Sequence, residues 1–284
     1  MKLSKIFALL LALCLISSAA CAATFTDAHG NVIELDDSLE AYAAVTLVGA
    51  DNAARQGETN LGDLWADALR WFAVSGEINA AFDEDDVKAG NDRIAVDADH
   101  VVALWNGGNL RADIAEGTFG AEALAEVLPF PNKVAVVYMT GAQLLETLEA
   151  ASQGLPYTAE TADACASLMQ VSGLTYAVDT TKAYDALEAY GDHWFTAGSV
   201  SRVRIDDVNG QPFDAEATYA VVTSNANFNG MDSSYVLKAA AEANEQSAVT
   251  TAVVRDVVFR FIAAELNHQV GEAYAAPQGR LTIL

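Results

Sequence analysis

Asn106-Gly107-Gly108-Asn109-Leu110-Arg111 places three amide or guanidinium side chains around a glycine pair, directly after the apolar run Val101-Val102-Ala103-Leu104-Trp105. A guanidinium forks onto carboxylate or phosphate oxygens, and paired glycines let a backbone turn tightly and come close to a ligand. The surroundings make this arginine conspicuous. The 284 residues hold 15 Lys+Arg against 39 Asp+Glu, a formal net charge of −24. A chain of that sign repels nucleic acid and anionic membrane surfaces, because neutralising phosphates needs clustered cations. Arg111 therefore stands where a small anionic ligand would need a cation. A surface ion pair with Asp113 is the structural alternative, and such pairs contribute little.

Other chemistry is thinly represented. The four histidines are His29, His100, His193 and His268, and no two of them form H-x-H. Asp27-Ala28-His29 has the spacing of a metal-ligand pair, yet a dinuclear site needs more ligands than this sequence supplies, so both residues read as hairpin polar groups. Neither G-x-S-x-G nor G-x-x-x-x-G-K occurs. Acidic pairs such as Asp36-Asp37, Asp85-Asp86 and Asp206-Asp207 are expected of a solvated surface in so acidic a chain. Cys165, in the bland context TADACASLM, reads as a core residue rather than a nucleophile. The sequence predicts no metal site, no cofactor and no catalytic set of its own.

The elements that must position these residues follow from periodicity. Residues 24–40 read as a hairpin turning at Gly30-Asn31. Residues 60–74 place Leu61, Leu64, Trp65, Ala68, Leu69 and Phe72 at helical spacing behind the N-cap Thr59. Residues 75–93 read as an acidic inserted loop. A buried strand ends at Trp105, a short helix covers about 119–127, and a strand over 133–139 leads into an amphipathic helix over 141–151. Residues 152–167 are loop. Strands are predicted over 168–179, 200–208 and 219–224, with a variable stretch at 180–199 and a polar turn at 225–234. A last helix spans 250–267. Single strands interleaved with helices predict an α+β fold, a mixed sheet flanked by helices.

Residues 1–22 read as a signal peptide: Lys2 and Lys5 precede the apolar run 6–16, which is too short to span a bilayer, and small residues follow. Ala20-Cys21-Ala22 fits ordinary cleavage before Ala23. Ser18-Ala19-Ala20-Cys21 is a degenerate lipobox that would leave Cys21 as a lipid anchor. Both predict an exported protein, periplasmic, secreted or on the cell surface, with no transmembrane segment in the mature chain. Residues 23–41 then form a hairpin leader, and 42–284 a single domain without internal repeat.

Five segments, in order, resemble the C-terminal domain of the 5'-nucleotidases, the family of periplasmic UDP-sugar hydrolase and ecto-5'-nucleotidase. They are Glu58-Thr59-Asn60-Leu61-Gly62-Asp63-Leu64, Asn106-Gly107-Gly108-Asn109-Leu110-Arg111, Pro129-Phe130-Pro131-Asn132, Gln170-Val171-Ser172-Gly173-Leu174 and Asn227-Phe228-Asn229-Gly230-Met231-Asp232. The family patterns are E-T-N-L-G-N-L, N-G-G-G-I-R, P-F-G-N, L-Q-V-S-G-L and N-F-x-x-x-G-G-D-G-Y. The resemblance covers about residues 42–266. It departs at Pro131, where the family has Gly, and in the last segment, where Phe228 and Asp232 are closer together than in the family.

The resemblance implies a domain that holds a nucleoside or nucleotide. Phe130 and Phe228 would stack on the base, and Arg55 and Arg111 would meet phosphate oxygens. Asn106 and Asn132 would bond base or sugar, Asp232 the ribose hydroxyls, and Gly108 would allow close approach. Each has a plainer alternative: core packing for the two phenylalanines, and turn capping for Asn106 and Asn132. In this family the chemistry belongs to a separate metallophosphoesterase domain whose motifs, D-x-H apart, are absent from this sequence. Three functions follow: a nucleotide-binding domain not catalytic alone, the substrate-binding half of a split nucleotidase working with a separate metallophosphoesterase chain, or a degenerate cell-surface interaction module.

Overall fold

A computed structural model describes residues 23–26, 32–35, 40–82 and 94–284. The predicted signal peptide, Asp27, His29 and the pairs Asp36-Asp37 and Asp85-Asp86 lie outside the described residues. In chain order the strands are β1 (Ala23–Thr26), β2 (Val32–Leu35), β3 (Glu40–Ala43), β4 (Val101–Asn106), β5 (Gly117–Gly120), β6 (Lys133–Thr140), β7 (Met169–Ser172), β8 (Leu174–Val178), β9 (Ala186–Ala189), β10 (Phe195–Ala197), β11 (Val203–Val208), β12 (Gln211–Pro212), β13 (Thr218–Ser224), β14 (Ala248–Val253), β15 (Gln269–Val270) and β16 (Leu281–Ile283). The α-helices are α1 (Ala53–Gln56), α2 (Asn60–Val74), α3 (Ala121–Val127), α4 (Gly141–Ala151), α5 (Asn225–Phe228), α6 (Tyr235–Ala243) and α7 (Val254–Ala264).

The centre is a mixed five-stranded sheet in the order β14-β6-β13-β4-β7, in which β13 and β4 run parallel and the other neighbours antiparallel. Its inner strands are buried on both faces, which is why they read as unbroken apolar runs rather than alternating ones. Val101, Ala103 and Trp105 of β4 enter one core with Val136 and Val222, together with the apolar faces of α2 and α7. Val102 and Leu104 enter a second core on the opposite face with Val137, Met139 and Val221, joined by α4, α6 and β8. A smaller sheet, β12-β11-β8-β16, covers that second core, and β15-β3-β5 borders the first.

Local signals account for the elements that the sequence bounds sharply. Thr59 accepts a hydrogen bond from Gly62 N (3.0 Å) and opens α2. Thr140 and Gln143 close a reciprocal capping box that opens α4. β1 and β2 pair antiparallel, as the predicted hairpin requires.

Five expectations are corrected. Residues 168–179 are two strands in different sheets: at Gly173 (φ 81) the chain leaves the central sheet, β7 pairing with β4 and β8 with β11 and β16. Phe119 belongs to β5, and α3 begins only at Ala121. The predicted final helix is preceded by β14, because the β-branched run Val249-Thr250-Thr251 favours a strand; α7 starts at Val254. The stretch 180–199 contains the β9–β10 hairpin, and helix α6 stands between the polar turn and β14, where the sequence predicts no helix.

Candidate functional site

Strand β4 ends at the buried Asn106, beside the start of α5 that follows the parallel neighbour β13. The two glycines after it are required by packing. A side chain at Gly107 would run into the Ala54 carbonyl oxygen of α1, and one at Gly108 would come within 2.7 Å of the Ala166 methyl. Gly107 N also donates to Leu168 O (2.7 Å). The glycine pair therefore admits the close approach of two protein segments, and Gly108 also lines the cleft.

The turn delivers Arg111, whose backbone N–H donates to Val127 O (2.9 Å) and whose guanidinium lies over the Phe130 ring, 5.8 Å from its centroid. That is cation–π geometry. Asp113 is not its ion-pair partner: the Asp113 carboxylate accepts from Gly49 N and Ala50 N, both at 2.8 Å. Phe130 is partly buried against the first core. Asn132 O accepts from Val254 N (2.9 Å), which ties the 130–132 turn to the start of α7.

The third wall comes from the segment after β13. Ser224 Oγ caps α5 by accepting from Asn227 N (3.1 Å), and the Asn227 amide donates onward to Ser234 Oγ (2.9 Å). These bonds draw residues 224–234 into a closed turn with Gly230 at φ 86 and Asp232 at φ 55. A left-handed aspartate is uncommon and is held here by its surroundings. Asn106 Nδ2 donates to Asp232 Oδ2 (2.8 Å), and Asn109 Nδ2 donates to Asn106 Oδ1 (2.8 Å). Burial raises the Asp232 carboxyl above the ordinary aspartate value. The Asn106 hydrogen bond and the charges of Arg55 and Arg111 oppose that rise.

Together these segments enclose a cleft of about 780 Å³, the size of a small-molecule site. Of the predicted residues, Gly108, Arg111, Phe130, Asn132 and Asp232 line it. Three do not. Asn106 is buried behind Asp232. The Arg55 guanidinium donates to Ala162 O (2.9 Å) and pairs with Asp163 (3.6 Å), so it reaches the cleft only through its charge. Phe228 packs against the second core. Asn225, Asn229 and Met231, which the motifs did not single out, also line the cleft. Met231 is 55% exposed, and a polar turn that shows so large an apolar side chain to solvent is a signal that could have been used. Asn132, by contrast, is 8% exposed and lines the cleft.

The amides of the first and fourth segments are scaffold. Gln170 donates to Ala54 O (3.0 Å) and Gly57 O (2.9 Å) and accepts from Thr59 N (3.0 Å), binding the α1–α2 connection to β7. Gly62 is small because Gln170 occupies the space of any side chain there. Asn60 donates to Thr46 O and Tyr274 O and accepts from Val48 N, joining three segments far apart in sequence. Among the described residues, no group of three or more His, Cys, Asp or Glu is placed to hold a metal ion.

A mixed α/β domain with an amide-rich cleft at the strand ends defines the class. The family model described as "5'-nucleotidase, C-terminal domain" matches residues 40–239, and the chain belongs to that family. It is 28% identical over 188 residues to the trifunctional nucleotide phosphoesterase protein YfkN of Bacillus subtilis, covering 65% of this chain and 10% of that protein. The solved 5'-nucleotidase precursor from Thermus thermophilus is similar at 28% identity and TM-score 0.62, over 86% of this chain and 39% of that one. The NAD nucleotidase of Haemophilus influenzae shares the fold at 16% identity and TM-score 0.56, over 86% of this chain and 38% of its own. This chain thus spans about two fifths of those solved structures and a tenth of the curated relative.

Proposed function

We propose that the chain is an exported nucleoside- or nucleotide-binding domain that does not hydrolyse its ligand alone. The observation that carries this reading is the convergence of Arg111, Phe130, Asn132 and Asp232 on one cleft. Phe130 offers a ring to a base, an interaction worth ~1–3 kcal/mol. Met231 adds a polarizable apolar side chain in the same cleft. Asp232 has Oδ2 engaged by Asn106, which leaves Oδ1 to accept from ribose hydroxyls. Arg111 would meet a phosphate, and the amide of Asn132 a base edge. Export rests on the reading of residues 1–22 and Cys21, with a relative named as a precursor alongside. Among the described residues no helix is long and apolar enough to cross a membrane.

Calorimetric titration of residues 23–284 with adenosine, AMP and UDP-glucose tests this. Binding that Phe130→Ala weakens about tenfold, ~1.4 kcal/mol, is expected. A folded protein that gives no heat with any of the three would point to the interaction-module reading instead.

A second reading, that this chain is the substrate-binding half of a nucleotidase whose metallophosphoesterase is a separate chain, rests on the family match over residues 40–239. Phosphatase activity on AMP that exceeds the catalytic chain alone only when both chains are mixed would support it. Activities that merely add would count against it.

A further inference from the structure

The β9–β10 hairpin touches both banks of the cleft without lining it. At its turn, the Tyr190 hydroxyl donates to Gly230 O (2.8 Å), on the bank that carries Met231 and Asp232. Four residues on, Trp194 Nε1 donates to Ala164 O (3.2 Å), on the bank that carries Ala166. The turn itself is closed by Tyr190 N to Trp194 O (2.7 Å), so the two side chains act from one rigid unit. The hairpin is in turn fixed to the body of the domain: Phe195 N donates to Gln153 Oε1 (2.8 Å), and Ala197 N to the Tyr235 hydroxyl (2.9 Å). Tyr190 also packs its ring on Tyr235, with centroids 5.6 Å apart.

The fit at Gly230 is close. A side chain there would strike the Tyr190 hydroxyl, and the residue holds a φ of 86° that glycine adopts without cost. Two positions later Asp232 holds φ 55, in the left-handed region that aspartate visits far less readily than glycine. The Tyr190 hydroxyl thus bonds the carbonyl at the centre of a turn whose backbone is out of the ordinary at both positions. Asn106 fixes the Asp232 carboxylate from the other side.

We propose that Tyr190 and Trp194 are positioning residues of the ligand cleft: the hairpin tip staples its two banks at a set separation and holds the 229–232 turn so that Asp232 meets the ligand's vicinal diol. The proposal rests on the nucleoside-binding reading for its ligand but not for its geometry. The hairpin falls in the stretch 180–199, outside the five family segments and within the residues 40–239 that the family model matches. Neither side chain touches ligand; both act through the backbone they bond.

The test uses the mature chain and two variants, Tyr190→Phe and Trp194→Phe, each keeping an aromatic ring while removing the donor. Without ligand, amide hydrogen exchange is measured at Met231 and Ser234, whose N–H groups donate to Ala226 O and Met231 O within the turn. Tyr190→Phe is expected to speed both about fivefold or more, the loss expected for one hydrogen bond, while amides of β13 stay unchanged. With ligand, Tyr190→Phe is expected to weaken adenosine about fivefold and 2',3'-dideoxyadenosine by less than about twofold, because only the former presents the diol to Asp232. Trp194→Phe is expected to weaken the two nucleosides equally, since it loosens the opposite bank. Unchanged exchange in the turn overturns the proposal whatever the ligand does. Equal weakening of both nucleosides by Tyr190→Phe also overturns it. A wild-type protein that binds neither nucleoside overturns the functional reading, and the exchange data still decide the staple.

Discussion

Asn106 Nδ2 donates to Asp232 Oδ2 at 2.8 Å across 126 positions of sequence, and Asn109 fixes the Asn106 amide from behind. This relay orients a largely buried carboxylate toward the cleft and determines which of its oxygens is free. Asn106→Ala should therefore raise the Asp232 pKa, because the bond it removes favours the charged form. Affinity for ribonucleosides at neutral pH should fall about tenfold. Carboxyl-carbon NMR titration of Asp232 in both proteins checks the first outcome, and calorimetry the second.

The two phenylalanines should separate cleanly. Phe130 lines the cleft, whereas Phe228 packs on the second core. Phe228→Ala should destabilise the fold by ~2–3 kcal/mol, below the usual cost at a fully buried site because Phe228 is only partly covered. Its effect on adenosine affinity should stay within about twofold. Phe130→Ala should weaken adenosine about tenfold and, because Phe130 is also partly buried against the first core, cost ~1–3 kcal/mol of stability as well. Thermal melts and titrations on the same two samples decide this.

Stability should depend on pH through Asp63. Its carboxyl is pushed up to about 8 by burial, against the charge of Arg280, with Glu58 adding to the rise. In the unfolded chain the same group ionises near 3.8. Between those values the folded protein holds a proton that the unfolded one has lost, so stability is fully present below about 4 and falls as pH rises, at roughly 1.4 kcal/mol per pH unit inside the window. Above about 8 this loss is complete. Asp63→Asn keeps an acceptor for Gln278 N (3.1 Å in the wild type) and removes the titration. Its melting temperature should change less with pH between about 5 and 8 than that of the wild type. Parallel curves for the two proteins would contradict this.

Gly107→Ala should destabilise the domain by ~1–3 kcal/mol, because its methyl would have to displace the Ala54 carbonyl. The same substitution at Gly210, where φ is 75 and nothing lies within 4 Å, tests backbone strain without overpacking. A smaller loss at Gly210 than at Gly107 is expected from urea unfolding of both.

The helices α2 and α4 were legible because their signals are local: an N-cap threonine before α2 and an apolar stripe at helical spacing in each. β4, β6 and β13 were legible as apolar runs, although the runs could not say that alternate residues serve two separate cores. The break at Gly173 was hidden because one glycine in an apolar stretch is compatible with a continuous strand, and only pairing with β4 on one side and β11 on the other divides it. The cleft was legible through motif order, which named five of its lining residues. What order could not give is which motif residues face it. Asn106, Gln170 and Asn60 carry strongly patterned amides that bond protein behind the cleft, whereas Asn225 and Asn229, which also bond protein through Lys133 N and Asn225 O, line it. Arg55 and Phe228 do not line this cleft for the same reason: charge and aromaticity mark a side chain as useful but do not give its direction.

The most direct measurement is a crystal structure of residues 23–284 soaked with adenosine. The account predicts the base against Phe130, an edge contact to the Asn132 amide, and the ribose diol on Asp232 Oδ1 with the Asn106–Asp232 bond intact. Adenosine bound elsewhere, or an empty cleft at a saturating concentration, would contradict it.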